Sequence, residues 1–407
     1  MTIRVLAVAD SDSYLKWACA TLDRLGPADE AGLDRSAVIV KTPIAPTTSQ
    51  IAAAVAGSSV VRPAVLPVRE LAAHIREKSP DVVLIAATGP VAEVVARAIV
   101  AAAGKHRPAL ITGLPGMALP ATPEGTGWRR WCDAFVVHSR LEVDAYRVAF
   151  AAHGVAPEVP LARLPFLEHM ATSLGTEPVK RVVFAAQAKV PDNRPDRVTL
   201  LDRLARLAEE DFEVIVKLRA RKGERQTHNE AFPYDELWDT EHERLGHRSD
   251  ALRFVDGPMA EWLQAGSALM TVSSTAAMES LALDLSTVII DDFGVTPELL
   301  NAPFAGSGCV LPVAAAAEAF RTGGPKPDPA WLEDNYLHGT ESELPATVRD
   351  LAERRRAGTL TDLPEVKPWL RTRYLRMALQ MYLPKFVYDT IRLTTRPARL
   401  LLLDRKA

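Results

Sequence analysis

The sequence predicts an α/β protein of two domains, each a doubly wound parallel sheet, facing one another across a cleft and followed by a helical tail. Three observations predict it. Short, unbroken apolar runs recur along the chain, the pattern of strands buried on both faces of a parallel sheet. Between them lie segments with helical spacing, so each strand pair is joined by a crossover helix. The alternation stops once, at a proline-rich stretch, and then restarts. A length of 407 residues holds two or three such units.

The first unit has strand-length runs at Ile3–Ala9, Ala37–Val40, Val82–Ala86, Ala109–Thr112 and Ala134–Val137. Helical spacing marks Tyr14–Leu25, Val68–Lys78, Val91–Ala103 and Leu141–His153. Prolines 157, 160, 165 and 178, with Gly175, mark a linker. The second unit reads as strands at Val182–Ala186, Phe212–Leu218, Leu252–Val255, Ala268–Thr271 and Thr287–Ile290. Its helices are expected at Asp196–Glu210, Pro258–Ala265 and Thr275–Leu283. Residues 1–165 and 166–345 are therefore expected as the two domains, and 346–407 as basic amphipathic helices on the first domain, on a membrane surface, or both. Leu351–Arg356 reads as a solvated helix face.

Charge and cysteine content narrow the function classes. Lysine and arginine total 48 against 51 acidic residues, which argues against nucleic acid as a partner. Three scattered cysteines, Cys19, Cys132 and Cys309, make no disulfide framework and fit a reducing cytoplasm. No run reads as a membrane span, and the start does not read as a signal peptide. The last 41 residues carry ten basic and two acidic groups, a net +8 against −11 for the remainder. Aromatic and aliphatic residues lie among those arginines, from Trp369 to Tyr388. Such a segment suits an anionic surface at the inner face of the cell membrane. A terminal helix packed back on the first domain explains the same pattern, and the two are compatible.

Several enzyme signatures are absent. There is no G-x-G-x-x-G after a strand, no G-x-x-x-x-G-K-[ST] loop and no G-x-S-x-G elbow. His242 and His247 are five apart, not the four a zinc-protease helix needs. Asp10-Ser11-Asp12 has a D-x-D form, but at the first strand it lies too early for a sugar-transferase metal site, and no metal is expected.

Ligands bind doubly wound sheets beyond the carboxyl ends of strands, and five segments stand there. Asp10 to Tyr14 opens a helix: one of Ser11, Asp12 or Ser13 serves as N-cap, and Asp10 or Asp12 serves as general base on an acceptor hydroxyl. Ser11 and Tyr14 would sit beside it. Thr112–Met117, with Gly113 and Gly116, forms a tight turn that is either a cleft wall or an ordinary loop. At His138–Glu142, Ser139 and Glu142 make a capping box, while His138 can face the cleft. Lys217, Arg219, Arg221 and the basic residues to Arg225 suit a phosphate, with His228 as donor or acid; a solvated charge run is the other reading. The sharpest segment is Thr271–Ser280. Its helix start offers N–H groups and the hydroxyls of Ser273, Ser274 and Thr275 to an anion, and Glu279 can accept from ribose hydroxyls. A plain cap with a small-residue helix explains it more simply.

Two such domains with a hydroxyl-rich turn late in the second resemble the Rossmann-like GT-B glycosyltransferases over most of the chain. Thr271–Leu281, reading T-V-S-S-T-A-A-M-E-S-L, is similar to the serine-rich helix start of bacterial capsule transferases with cytidine donors: polysialyltransferases, Kdo transferases and CDP-glycerol glycerophosphotransferases. The resemblance implies that Ser273, Ser274 and Thr275 hold the donor phosphate or nucleotide. It departs from those enzymes in having no His-Pro pair, so either His228 replaces that histidine or the donor differs. The whole chain also resembles an actinobacterial glycosyltransferase family, which names no substrate. The resemblance implies metal-independent displacement in the cleft, with a nucleotide sugar, CMP-linked on this likeness, as substrate rather than cofactor. The acceptor would be a cell-envelope glycan or a lipid-linked group. A nucleotide-sugar epimerase of the same architecture and a non-catalytic binder are the alternatives.

Overall fold

The computed structural model describes residues 2–27, 32–167, 173–219, 230–364, 372–383 and 387–388. The first domain runs β1 (Ile3–Ala9), α1 (Asp12–Asp23), β2 (Leu33–Val40), α2 (Thr48–Val55), β3 (Ala64–Leu66), α3 (Val68–Lys78), β4 (Val82–Ala86), α4 (Gly89–Ala103), β5 (Ala109–Gly113), α5 (Pro123–Gly127), β6 (Ala134–Val136) and α6 (Arg140–Ala151). Its six strands are all parallel, in the order β3-β2-β1-β4-β5-β6. Val82–Ala86 and Ala109–Gly113 are buried at every residue, as expected for strands covered by helices on both faces.

The second domain runs β7 (Arg181–Ala185), α7 (Arg194–Ala208), β8 (Glu213–Lys217), α8 (Tyr234–Leu245), β9 (Arg253–Val255), β10 (Ser267–Thr271), α9 (Ala276–Ala282), β11 (Thr287–Ile290), β12 (Val310–Leu311), α10 (Val313–Arg321) and α11 (Pro329–Asp334). The order β12-β11-β10-β7-β8-β9 is that of the first sheet, strand for strand, and again wholly parallel. In each sheet the strand order reverses once, between β1 and β4 and between β7 and β10. These are the switch points at which such sheets open a crevice.

The chain then returns to the first domain. Helix α12 (Leu344–Ala357) buries Leu344, Val348, Leu351 and Ala352 in the core beneath the first sheet. The expectation of a solvated face at Leu351–Arg356 is corrected: Leu351 is 0% exposed, because it continues an i, i+4, i+7 apolar stripe. Arg356 pairs with Asp81 at 2.7 Å, which ties the helix to the loop before β4. Helix α13 (Thr372–Tyr382) lies on α4 and α3. Met381 is buried there, and the Arg97 guanidinium stacks on the Tyr374 and Trp131 rings. Leu375 and Tyr382 remain exposed on its outer side. The rest of the basic tail, residues 367–371, 384–386 and 389–407, lies outside the described residues.

Other elements differ from expectation: α2, α5, β12 and α10 were not expected. The helix expected at Pro258–Ala265 is a single 3-10 turn, Met259–Glu261, since Gly257 and Gly266 at φ +90° and +74° bound it closely. Strand β3 is three residues long and half exposed at the sheet edge. Helix α8 carries acidic and histidine residues along most of its length and buries only Tyr234, Leu237, Trp238 and Glu241.

The first domain meets the rest of the chain through Met117, which packs against the core of the second domain, and through polar contacts. Glu142 is 0% exposed; its carboxylate accepts from the backbone of Ala118 and His138 and from the Tyr336 hydroxyl of the returning chain. Arg140 reaches Thr340 at 2.8 Å. Leu161 and Glu343 exchange two bonds, from Leu161 N–H to the Glu343 carboxylate and from Glu343 N–H to the Leu161 carbonyl.

Candidate active site

Each switch point is closed by one side chain reaching across it. In the first domain Asp10, just past β1, accepts from the backbone N–H of Thr88 at 3.0 Å and from the Thr88 hydroxyl. Thr88 stands just past β4 and is the N-cap residue of α4. In the second domain Gln187, past β7, accepts from the Ser273 N–H at 2.9 Å and the Ser273 hydroxyl at 3.2 Å. Ser273 stands past β10. The two clasps occupy equivalent places in equivalent sheets.

The Asp10 cluster is dry and crowded. Asp10 is 0% exposed and its Oδ1 has no hydrogen-bond partner. Burial pushes its carboxyl above the usual range, against the bonds from Thr88 and the nearby Arg129 charge. Buried Arg129 donates to the Tyr14 hydroxyl and the Ala87 carbonyl, both at 2.9 Å. Burial likewise raises Tyr14. Ser11 is buried; its hydroxyl acts on the Asp10 carboxyl, and it caps α1 without a side-chain bond. Asp12 pairs through Oδ2 with Lys16 at 2.8 Å, one helical turn along, and its Oδ1 is buried without a partner.

His138 is held inside the first domain. Its Nε2 accepts from the Trp17 indole N–H at 3.0 Å, and its Nδ1–H donates to the Ala162 carbonyl at 2.9 Å. Both ring nitrogens are thus engaged, and burial depresses the imidazole to about 4. This corrects the expectation of a cleft-facing histidine. Gly113 serves the same packing: a Cβ there would lie 2.8 Å from the Trp17 ring. Ser139 caps α6, accepting from the Glu142 N–H.

The hydroxyl turn is also more self-contained than expected. Ser274 N–H is taken by the Thr271 hydroxyl, and the Ser274 hydroxyl accepts from Ala276 N–H. With Ser273 N–H on Gln187, three N–H groups expected free for an anion have partners, and α9 is seven residues long. What the turn presents is side-chain hydroxyl, on half-buried Ser274 and Thr275. Glu279, one turn on, is raised by burial and drawn back by Lys217. The Lys217 ammonium, at the end of β8, is pushed down by burial and by Arg219 and held up by Asp256 and Glu279; Lys16 of the first domain also acts on it. Arg219 is exposed. Arg221 and His228 lie outside the described residues.

Gly116 joins the halves of the site. A Cβ on it would lie 2.8 Å from the Thr275 methyl, so the first-domain loop rests on the second-domain turn. Only a residue without a side chain allows that approach. Thr88, Arg129, Gln187 and Arg197 were not singled out from the sequence. Thr88 and Gln187 stand beyond strand ends, where a signal existed. Arg197 carried none: it is fully buried, donating to the carbonyls of Gln187, Ala188, Pro191 and Phe232 and stacking on Tyr234.

Two doubly wound domains whose strand-end loops meet across a cleft are the GT-B type fold, which glycosyltransferases share with nucleotide-sugar epimerases. The chain belongs to the family described as "Putative glycosyltransferase (DUF6716)", which matches residues 5–351. No curated protein matches the chain. Among solved structures it is similar to the "putative UDP-N-acetylglucosamine 2-epimerase" of Listeria monocytogenes, at 11% identity and TM-score 0.57 over 90% of this chain and 100% of that one. It is similar to the UDP-GlcNAc 2-epimerase of Neisseria meningitidis bound to UDP-GlcNAc, at 9% identity and TM-score 0.53 over 88% and 100%. The Methanocaldococcus jannaschii UDP-GlcNAc 2-epimerase with UDP-GlcNAc and UDP gives 11% and 0.54 over 87% and 100%. At these identities the likeness is one of fold.

A histidine buried neutral binds its proton more readily unfolded, where its ordinary value is near 6.5, than folded at about 4. Its contribution is therefore whole above pH 6.5 and is lost as pH falls from 6.5 towards 4. In urea titrations His138→Gln is expected to be less stable at pH 7 yet to lose less stability between pH 6.5 and 4.5 than the parent. Equal losses in that window would refute the assignment.

Proposed function

We propose that this glycosyltransferase binds a nucleotide sugar in the second domain and moves its sugar by direct displacement to an acceptor hydroxyl held by the first. The observation that carries the reading is the contact of Gly116 with Thr275. It brings the loop after β5 in the first domain against the hydroxyl turn of the second, and in this reading Asp10 faces the same cleft. In this reading the Ser274 and Thr275 hydroxyls and the cations of Lys217 and Arg219 take the donor phosphates. Their charge stabilises the departing phosphate without a metal. Glu279, held near Lys217, accepts from ribose.

Asp10 is the base in this mechanism. Its raised carboxyl brings it closer to the working range of a general base, and Oδ1 is left unpartnered while Thr88 holds Oδ2. Since Oδ1 is covered in this state, the acceptor reaches it when the cleft opens, and reclosure excludes water. Asp12 is neutralised by Lys16 and serves α1. The serine run favours a cytidine donor. The UDP and UDP-GlcNAc named with the neighbouring epimerases make uridine donors the next to try.

We also place the enzyme at an anionic membrane surface. Among the described residues no helix is long and apolar enough to cross a membrane, so the tail would act from the face. The exposed Leu375 and Tyr382 on α13 and the basic residues after it support this. The full chain is expected to sediment with phosphatidylglycerol vesicles at low salt and to be released at 0.5 M, where the Debye length is roughly 4 Å; equal binding to phosphatidylcholine vesicles would contradict it.

The reaction itself is tested with a panel of CMP-, CDP-, UDP- and GDP-sugars, with and without a membrane lipid extract. Free nucleotide released only with extract is expected; an isomerised nucleotide sugar formed without extract would instead establish an epimerase. Asn at position 10 can still accept from Thr88 but cannot take a proton. Asp10→Asn is therefore expected to keep the thermal midpoint and lose at least 100-fold in rate, while Asp12→Asn loses less than tenfold. Full activity in Asp10→Asn would leave Asp10 a purely structural clasp.

A further inference from the structure

Beside the Asp10 cluster lies a cavity of about 340 Å³ that neither the clasps nor the hydroxyl turn accounts for. Leu114, Met117 and the Leu119–Pro120 corner of the first domain line it, with the buried Phe135 and Tyr146 rings behind them. Those two rings stack at 4.3 Å, and the Tyr146 hydroxyl donates to the Ala118 carbonyl. The lining is therefore largely hydrocarbon. The second domain supplies the rim, through Pro297 and Leu300.

Leu300 is an unusual rim residue. It holds φ +58°, a left-handed conformation that L side chains avoid, and it is 46% exposed. The loop is built to keep it so. Asn301 is 0% exposed; its side-chain oxygen accepts from Thr296 N–H at 2.8 Å and its amide donates to the Gly294 carbonyl at 2.9 Å. Leu300 N–H closes the turn on the Pro297 carbonyl. A strained, half-exposed leucine fixed at the mouth of an apolar cavity points to a ligand contact.

The one charged group on the wall is Arg129. Its terminal nitrogens hold Tyr14, Ala87 and Gly125, while its Nε has no partner. Arg129 holds the Ala87 carbonyl, and the next residue, Thr88, donates to Asp10, so the cavity lies near the proposed base. At roughly 30 Å³ for a water-sized group, the volume accommodates about eleven such groups.

We propose that this cavity holds the proximal hydrocarbon of a lipid-linked acceptor, about eight to ten carbons next to the accepting sugar, with the remainder of the chain leaving past Leu300. The Nε of Arg129 would meet the polar junction of chain and sugar, which places the sugar hydroxyl towards Asp10. This rests on the transferase reading, since it takes the occupant to be an acceptor.

The probe is monomeric n-octyl β-D-glucoside, with glucose and phenyl β-D-glucoside as controls, followed by saturation-transfer NMR on the full chain. Octyl glucoside is expected to bind, and glucose not to bind, at the same concentration. Leu300→Gly relieves the left-handed backbone, so its thermal midpoint should be unchanged or higher, while octyl glucoside affinity falls at least fivefold. Leu300→Asp should fall further, and Leu114→Trp should block the cavity. No binding of octyl glucoside to the parent, or equal binding to Leu300→Gly, overturns the proposal. Binding of the phenyl glucoside alone also overturns it, in favour of an aromatic acceptor. Leu300 lies apart from the Ser273–Thr275 turn. A parent chain that binds nucleotide but not octyl glucoside therefore condemns the cavity and spares the transferase reading; one that binds octyl glucoside but no nucleotide condemns the donor site.

Discussion

Everything at the candidate site depends on how two parallel sheets are closed at the point where their strand order reverses. There the crossovers run to opposite sides and the ends of two adjacent strands would otherwise part. Asp10 on Thr88 closes the first sheet and Gln187 on Ser273 closes the second. Each clasp joins a side-chain oxygen to a backbone N–H and a hydroxyl, so each satisfies buried polar groups that would otherwise be costly. The same bonds fix the loops from which the site is made.

The two clasps are not chemically equal. Glutamine is neutral and leaves the second domain's turn as a set of hydroxyls beside Lys217. Aspartate carries an ionisable group into a dry place, and the structure compensates only partly, with Thr88 and the more distant Arg129. A buried, incompletely satisfied carboxylate does little for stability alone. It is what an acid–base site requires. Behind the cleft, Glu142 and Tyr336 join the domains through one buried polar knot. A small polar seam of this kind is compatible with hinge motion, whereas a broad apolar one would resist it.

Much of the fold was legible because buried parallel strands are written as unbroken apolar runs. Ile3–Ala9, Val82–Ala86 and Thr287–Ile290 match the observed strands end for end. The edge strand Ala64–Leu66 and the acidic helix Tyr234–Leu245 were not legible, since neither shows a clear apolar period. At the site, strand-end logic singled out Asp10, Lys217 and Ser273, which do stand at or just past the ends of strands. It could not say where their side chains turn. His138 looked like a cleft residue but pairs with Trp17, 121 positions away in the chain. Asp10 and Asp12 looked like a pair, but Thr88 holds one and Lys16 the other. Arg129 and Arg197 act through contacts between segments far apart in sequence, and no local pattern announces such contacts.

The central claim is that the Ser273–Thr275 turn with Lys217 is a nucleotide site. Its most direct test is the thermal midpoint of the purified chain with CMP, CDP, UDP, GDP and ADP, with and without EDTA, alongside Ser274→Ala/Thr275→Ala. A ligand at 100 times its Kd adds about 2.7 kcal/mol to the folded state. A nucleotide site of this kind predicts a clear upward shift with a cytidine or uridine nucleotide that survives EDTA and is lost in the double variant, whose own midpoint barely moves. No shift with any nucleotide, or an equal shift in the double variant, would contradict it.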